Sequence, residues 1–342
     1  MEVFNPNLNI NFLGLRKISL AVSALLIVLS IGAIMTRGLN YGLDFTGGLM
    51  VEAQYQQPVD VGEVRAALEA GGFDHAVVQS IGGAREVSIR LQVNDRSNTA
   101  PETVNPPSDP GAAKSDANKQ PPADNAKNVG DKVAAAVLKA LQAKRQDVTI
   151  KPSAFVGSTV GDELKSDGIT AVIFVIVGIM IYIGIRFEWR FAVAAIASEV
   201  HDTLITVGFY AVTQHEFDIT VLASVLAVVG YSINDKVVVF DRVRELFRSA
   251  RRAEPEEILN KAINSTLSRT IITALFTAIT MIALYFFGGP VVHGFALTML
   301  IGILVGTLSS IFFASPILLW LGVSKKDLMP VTRDNPELAR RP

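Results

Sequence analysis

The stretch Ile169–Ile185, which reads ITAVIFVIVGIMIYIGI, contains no charged residue. A helix needs about 20 residues to cross the ~30 Å hydrocarbon core of a bilayer, and this stretch approaches that length. It is apolar on nearly every side, whereas a helix of a soluble bundle has an apolar stripe and a polar outer face. The stretch therefore predicts a transmembrane helix.

Five further segments lack charge: Ile18–Met35, Leu204–Thr213, Ile219–Asn234, Thr270–Val292 and Gly294–Ser324. Extended to the length that a bilayer requires, the six segments predict transmembrane helices near residues 17–36, 168–186, 191–212, 219–240, 267–287 and 294–322. The first apolar run exceeds the roughly 7–15 residues of a signal peptide, so we expect it to remain as an anchor.

The composition agrees with this reading. Charged residues make up 18% of the 342 residues, against about 25% in a soluble domain. The net charge of −1 argues against a strongly basic nucleic-acid-binding protein. The absence of cysteine excludes disulfides and thiol chemistry.

Lysine and arginine are concentrated on one side of the predicted topology. The segments that carry them are 1–16, 186–190, 241–266 and 323–342. The short loops Gln214–Asp218 and Gly288–His293 contain neither residue type. By the positive-inside rule we expect both termini and the loop 241–266 to be cytoplasmic, and residues 37–167 to be extracytoplasmic.

The external segment between the first two spans has the pattern of an α+β domain. Its predicted elements are a strand Leu49–Tyr55, a helix Val59–Gly71, strands Ala76–Ile81 and Glu86–Gln92 joined around Gly82-Gly83, a helix Val129–Arg145 and a strand Val148–Phe155. The order β-α-β-β-α-β is that of a ferredoxin-like domain. The polar, Pro-rich residues 94–128 cannot bury enough apolar surface to fold, so they predict a disordered insert. The fold class is a polytopic α-helical membrane protein with one such domain between helices 1 and 2.

Ionisable residues inside the predicted spans are candidate functional residues, since each costs about 2.5–3.5 kcal/mol to insert. Asp235, preceded by Asn234, lies near the cytoplasmic end of the fourth span, and Arg269 lies at the matching end of the fifth. A carboxylate and a guanidinium at one depth can pair, and a buried carboxylate can also bind a proton. The pair predicts a proton path or, alternatively, a static ion pair that fixes helix register.

The third span holds secondary candidates, Glu199 and Asp202, with His201 between them. Asp202 is either functional or satisfied by its neighbours, and Glu199 is expected to face a neighbouring subunit. His201 is interpreted as a helix-packing or hydrogen-bonding residue rather than a ligand. Asp241 is expected in an interfacial charge cluster with nearby arginines. Anionic lipid is an adequate partner for the basic loop, and no nucleic-acid role is required.

No catalytic signature is present, since HExxH, GxSxG and Walker motifs are absent. The glycines of 42–48 resemble a phosphate cradle but precede a strand, so no helix N-terminus would be offered to an anion. We expect no enzymatic activity, no metal and no cofactor. The ion expected to bind at Asp235 and to move along this path is the proton. Sodium remains the alternative, because carboxylates and threonine hydroxyls can also bind Na⁺.

Several motifs resemble the SecF family of the bacterial protein-export machinery, within the resistance-nodulation-division superfamily. They are Tyr41–Gly48 (YGLDFTGG), Arg186–Arg190 (RFEWR), His201-Asp202, Glu216–Thr220 (EFDIT), Gly230–Asp235 (GYSIND), Val239–Arg244 (VFDRVR) and Gly288–Pro290 (GGP). The resemblance extends from about residue 9 to 322. Two features depart from the family pattern, namely the length of insert 94–128 and Glu199, where an apolar residue is commoner.

The resemblance implies a bacterial inner-membrane protein, with residues 37–167 in the periplasm, that pairs with SecD. It also implies association with the SecYEG channel and YajC, and use of the proton-motive force to promote late steps in the export of unfolded polypeptides. Carried onto this chain, the proton-path residues are Asp235 and Arg269, and Gly42, Asp44, Gly47 and Gly48 form a structural motif after the first span. The rival interpretations are half of a proton-coupled small-molecule exporter and a purely structural brace.

Overall fold

The chain divides into two compact units, Met1–Asn40 with Ile169–Pro342, and Tyr41–Gly168. The computed structural model describes residues 9–73, 76–80, 84–91, 123–151, 154–156, 158–249 and 254–323. The helices, in chain order, are α1 Arg16–Arg37, α2 Leu43–Thr46, α3 Val61–Ala70, α4 Ala123–Gln142, α5 Ser158–Arg186, α6 Trp189–Thr213, α7 Ile219–Ser249, α8 Pro255–Phe287, α9 Pro290–Ser309 and α10 Ser315–Trp320. The strands are β1 Asn40–Tyr41, β2 Gly48–Tyr55, β3 Val77–Ser80, β4 Glu86–Leu91, β5 Val148–Ile150, β6 Ala154–Val156 and β7 Glu216–Phe217. A 3₁₀ turn, Leu13–Leu15, precedes α1, and a π-helical turn, Ser310–Ala314, connects α9 to α10.

Six helical segments among the described residues are long and apolar enough to cross a membrane. They are Leu13–Arg37, Val160–Arg186, Trp189–Thr213, Ile219–Ser249, Pro255–Phe287 and Val291–Trp320. The prediction of six transmembrane helices is therefore confirmed, and the chain is a multi-pass membrane protein. The segments of α6, α7 and α9 are the most buried and form the centre of this helix bundle, whereas α1, α5 and α8 expose most of their apolar surface.

The ends of the helices differ from the predicted spans. The predicted loop 241–266 is mostly helical, because α7 continues to Ser249 and α8 begins at Pro255. Helix α8, which Pro255 opens, runs for 33 residues. Proline and two acids, Glu256 and Glu257, suit its first turn, and apolar residues such as Leu259 and Ile263 bury the extension in the bundle core.

Helices α7 and α9 approach closely because two glycines of α9, one turn apart, face α7. A methyl group at Gly302 would overlap the side chain of Val228, and one at Gly306 would lie 2.7 Å from Ser232 Oγ. Small residues at this spacing let helix backbones come together in a membrane, where van der Waals packing drives association. The glycine spacing thus brings Ser232 and its neighbours on α7 against α9.

Replacing Gly302 by alanine is expected to lower the free energy of unfolding by about 1–3 kcal/mol, because the added methyl group overpacks the contact with Val228. The matched control is Gly178→Ala, since a methyl group there meets no atom within 4 Å. Alanine favours a helix by about 1 kcal/mol over glycine, so the control should be neutral or slightly stabilising. Thermal unfolding of both full-length variants in lipid nanodiscs measures the difference, and equal stability would contradict the packing argument.

The second unit is built around an antiparallel sheet in the order β3-β4-β2-β5, with β6 also paired to β2. Val51 lies opposite Ile89 in the pairing of β2 with β4, and Gln54 lies opposite Thr149 in the pairing with β5. Leu68 of α3 and Leu141 of α4 are buried in the same apolar core as the inward-facing side chains of the sheet. Period-two burial along β2 fits a sheet with one face covered by helices.

The element order along this unit follows the sequence prediction, with two differences. The predicted last strand, 148–155, is divided into β5 and β6. Helix α4 begins at Ala123, so residues 123–128 of the predicted disordered insert are helical. The rest of that insert and the Gly82-Gly83 hairpin lie outside the described residues.

The glycine motif of residues 42–48 contains a single helical turn, α2, which begins directly after Gly42. The statement that these glycines precede only a strand is therefore wrong, because the chain makes this turn before β2. Gly47 and Gly48 have φ angles of 66° and 130°, and a side chain on Gly48 would overlap the carbonyl oxygen of Leu91. Both glycines are required by the backbone that leads into β2.

Candidate functional site

A buried lysine lies at the centre of the helix bundle. The side chain of Lys236 on α7 has no solvent exposure. Its Nζ donates hydrogen bonds to Glu199 Oε2, Asp202 Oδ2 and Ser232 Oγ, each at 2.8 Å. These contacts satisfy all three protons of the ammonium group. Removing either partner of such a buried pair leaves an uncompensated charge.

Asp202 is surrounded by donors. Its Oδ2 also accepts hydrogen bonds from Ser232 Oγ at 2.5 Å and Ser309 Oγ at 2.6 Å, and its Oδ1 lies 2.7 Å from His201 Nδ1. The His201 ring stacks on Phe313 of the π-helical turn, with ring centroids 4.2 Å apart. Asp202 thus has hydrogen-bond partners among its neighbours, and His201 both contacts Asp202 and packs on Phe313. A functional role of Asp202 stays a prediction.

Helix periodicity brings these groups together. Glu199 and Asp202 are three residues apart on α6, so they share one face. Ser232 and Lys236 are four residues apart on α7 and share the face that meets α6. We define the Lys236 cluster as Glu199, His201, Asp202, Ser232, Lys236 and Ser309. The expectation that Glu199 faces a neighbouring subunit is wrong, because its carboxylate contacts Lys236 of its own chain.

Asp235 occupies a different side of α7 and is also buried, with 4% of its surface exposed. Its Oδ2 forms no hydrogen bond with the part of the chain that the structure describes, and the same holds for the hydroxyl of Tyr231 one turn earlier. The Tyr231 hydroxyl lies near the hydroxyls of Thr273 on α8 and Thr307 on α9, among others. It forms no hydrogen bond with them. Asp235 is therefore an unpaired carboxyl beside a row of hydroxyl groups.

The predicted partner of Asp235 is not in contact with it in this structure. The side chain of Arg269 is exposed on α8, and no ion pair within 4.0 Å joins these two described residues. The charged group that acts on Asp235 is Lys236, the next residue along α7. Asn234 is exposed. The role of Asp235 and Arg269 in a proton path stays a prediction.

Asp241 lies in a separate group of ion pairs at the ends of α5, α6 and α7. Both of its carboxylate oxygens lie 2.8 Å from Arg186 Nη2, and Oδ1 lies 3.6 Å from Arg244. Arg244 also pairs with Glu188 at 3.1 Å. These residues are partly exposed, and Arg244 is one of the arginines expected near Asp241. The position of this group at the membrane interface stays a prediction.

Among the described residues, no group of three or more His, Asp or Glu side chains is placed to hold a metal ion. The buried carboxylate of Asp202 is held instead by the ammonium of Lys236 and the hydroxyls of Ser232 and Ser309, with the imidazole of His201 beside it.

Comparison with known proteins decides the family. The family model described as protein export membrane protein SecD/SecF, C-terminal, matches residues 136–324, more than half of the chain, and the SecD/SecF GG motif matches residues 32–59. The protein translocase subunit SecF of Pseudomonas aeruginosa is 41% identical over 321 residues, which cover 94% of each chain. The chain belongs to the SecF family. SecF of Escherichia coli O157:H7 is 36% identical, with 90% of this chain and 86% of that protein covered.

Solved structures of SecDF are also similar to this SecF-family chain. The crystal structure of SecDF from Thermus thermophilus, a translocon-associated membrane protein, matches with a TM-score of 0.76 and 32% identity. SecDF in its super-membrane-facing form matches with a TM-score of 0.62 and 34% identity. The matches cover 93% and 92% of this chain but 39% of each SecDF chain, so the chain spans about two fifths of their length.

Sequence reasoning on this SecF-family chain did not single out Lys236. Its signal was present, because a lysine inside the predicted span 219–240 is as costly to insert as Asp235 beside it. The four-residue spacing from Ser232 was also visible. What the sequence did not contain was the pairing of that helix face with Glu199 and Asp202 on α6.

Proposed function

We propose that this SecF-family chain pairs with SecD in the bacterial inner membrane and uses the proton-motive force to promote late steps of protein export. The SecYEG channel, YajC and unfolded exported polypeptides are its proposed further partners. Family membership supports the assembly, since the similar solved structures are of SecDF. The observation that carries the coupling is Asp235, a buried carboxyl in a transmembrane helix with an oxygen that no described residue bonds.

In the proposed cycle, Asp235 binds a proton from one side of the membrane and releases it to the other. Arg269 approaches Asp235 when the carboxyl is charged and leaves it when the carboxyl is neutral. The hydroxyl row beside Tyr231 supports this step, because hydroxyls both donate and accept hydrogen bonds along a proton route. One charge that crosses 100 mV releases about 2.3 kcal/mol, so a few protons can drive a domain movement.

The external unit is proposed to lie in the periplasm, with both termini in the cytoplasm, and to have the ferredoxin-like topology. The sheet order β3-β4-β2-β5, with all neighbouring strands antiparallel, supports that topology. In the proposed mechanism the helix bundle moves this unit, and the unit moves the bound polypeptide. The role is that of a transport subunit without enzymatic chemistry or a cofactor, and the coupling ion is the proton rather than sodium.

The test is export into inverted membrane vesicles that contain SecD, SecYEG and this chain, with the proton and sodium gradients collapsed separately. Collapse of the proton gradient is expected to remove the stimulation of export that depends on this chain, while collapse of the sodium gradient leaves it. The opposite result would replace the proton by sodium. Stimulation that survives both treatments would support the structural-brace alternative, and independence from SecYEG would support the exporter.

A further inference from the structure

The Lys236 cluster and Asp235 together contain more acidic than basic groups. Glu199, Asp202 and Asp235 are three carboxyls, Lys236 is one ammonium, and all four are buried. If all were ionised, three negative charges would face one positive charge in a low-dielectric helix bundle. An unpaired buried charge is strongly unfavourable and is normally neutralised by a change of protonation. The excess of carboxyls therefore indicates that protons are bound within this group.

Hydrogen-bond geometry assigns the charged carboxyl. Asp202 Oδ2 accepts hydrogen bonds from Ser232, Ser309 and Lys236, and Oδ1 lies within hydrogen-bond distance of His201 Nδ1. A carboxylate is an acceptor only, and three donors on Oδ2, with an imidazole nitrogen beside Oδ1, match that state. Asp202 and Lys236 therefore form the neutral ion pair of the cluster, and their two charges compensate each other.

Glu199 is left without a charge partner of its own. Its Oε2 accepts one hydrogen bond, from the same Lys236 ammonium, and its Oε1 is buried with no hydrogen bond to any described residue. Asp235 is in the same condition, with a buried Oδ2 that no described residue bonds. These two carboxyls are consequently the sites at which protonation removes the excess charge.

We propose that Glu199 is a second proton-binding carboxyl of the helix bundle, coupled to Asp235 through the ammonium of Lys236. The charged groups that act on Glu199 are Lys236 of α7 and Asp202 of α6. Lys236 is also the charged group that acts on Asp235, while Arg269 on α8 is exposed.

Among the described residues, the other elements that pack around the cluster contribute no further buried Asp, Glu, Lys or Arg side chain. The buried groups of α1, which packs on α6, are the hydroxyls of Ser23 and Ser30, and the π-helical turn supplies Phe313. The other titratable side chains of this region are His201, which is engaged by Asp202, and Tyr231, which lies one turn before Asp235 on α7.

Coupling follows from the shared ammonium. Loss of a proton from one carboxyl leaves a negative charge that Lys236 already shares with Asp202, so loss of the second proton becomes less favourable. Interacting sites of this kind titrate in two steps that belong to the pair. The bundle then binds two protons where Asp235 alone would bind one. Any effect of this second site on protein export rests on the proposed function, but the binding of a proton by Glu199 does not.

Infrared spectroscopy of the full-length chain in lipid nanodiscs tests the proposal, because protonated carboxyls absorb apart from carboxylates. Labelling all glutamates with a heavy carbon isotope marks the glutamate band in the unmodified protein. We expect two carbonyl bands that disappear in separate pH steps, one of them shifted by the label. Glu199→Gln is expected to remove the shifted band and Asp235→Asn the other. The control, Glu245→Gln, changes a carboxyl that is 65% exposed and should remove neither.

If the labelled protein shows no isotope-sensitive carbonyl band, Glu199 is not a proton-binding site. The same conclusion follows if the band persists in Glu199→Gln. The labelled, unmodified protein tests the proposal even if Glu199→Gln does not fold. The coupling is tested in Asp235→Asn, where the glutamate step should move to lower pH because a competing negative charge is absent. An unmoved step overturns the coupling. The proposed function is tested by a separate measurement, namely protein export. If export is undiminished in Asp235→Asn, the proton relay is rejected, whatever the infrared bands show.

Discussion

Replacement of Lys236 by methionine is expected to lower the free energy of unfolding of the helix bundle by about 3–5 kcal/mol. Methionine keeps much of the length of the side chain but removes the ammonium that bonds Glu199, Asp202 and Ser232. Asp202 then remains as a buried carboxylate without a compensating charge. Thermal or denaturant unfolding of the full-length chain in lipid nanodiscs measures the loss.

The matched control for this substitution is Lys261→Met, because Lys261 is exposed on α8. Changing an exposed lysine should alter stability by no more than about 0.5 kcal/mol. The double variant Lys236→Met with Asp202→Asn should recover part of the loss, since it removes the charge that the single variant leaves buried. If Lys236→Met is as stable as the control, the cluster does not stabilise the bundle and its assignment as an ion pair is wrong.

Asp235→Asn is expected to abolish the part of protein export that depends on the ion gradient, while the chain stays folded and assembled. Asparagine has the shape of aspartate but cannot exchange a proton, so the proposed relay stops. The substitution also removes a carboxyl whose Oδ2 is buried without a partner among the described residues, so stability should be unchanged or slightly higher. Export into vesicles, with and without a gradient, measures the effect.

Asp162→Asn is the control for that experiment, because the Asp162 side chain is 79% exposed and lies before the apolar part of α5. It should leave gradient-dependent export unchanged. Co-purification with SecD shows whether the Asp235 variant remains assembled. Gradient-dependent export that persists in Asp235→Asn would falsify the assignment of this residue to the proton path.

The transmembrane helices were predictable because each is decided locally. A run such as Ile169–Ile185 must satisfy its own backbone in lipid, and only a helix does so within one segment. The ends were not predictable in the same way. Beyond the predicted spans, Arg244 and Glu188 pair with each other and Leu259 packs into the bundle core, so the extensions of α7 and α8 depend on contacts from other helices.

In the candidate site, too, the ionisable residues were predictable from the sequence, but the contacts between them were not. Asp235, Asp202 and Glu199 were found from sequence because an ionisable residue in an apolar run is conspicuous by itself. Their partners were not, since the ammonium of Lys236 that bonds Glu199 and Asp202 lies on another helix, 37 positions from Glu199. The predicted partner for Asp235, Arg269, is exposed in this structure, and no ion pair joins these two described residues.

By itself, the sequence determined the number of membrane-crossing helices, the order of elements in the second unit and the membership of the SecF family, because these follow from local patterns and motifs. Only the tertiary structure decided which buried charges compensate each other. Helix rotation and close approach at Gly302 and Gly306 bring Ser232 and Lys236 against Asp202 and Ser309, and a sequence carries no record of which faces meet. A charge in a low-dielectric bundle is stable only with its partner, so the pairing, rather than the presence, of the ionisable residues required the fold.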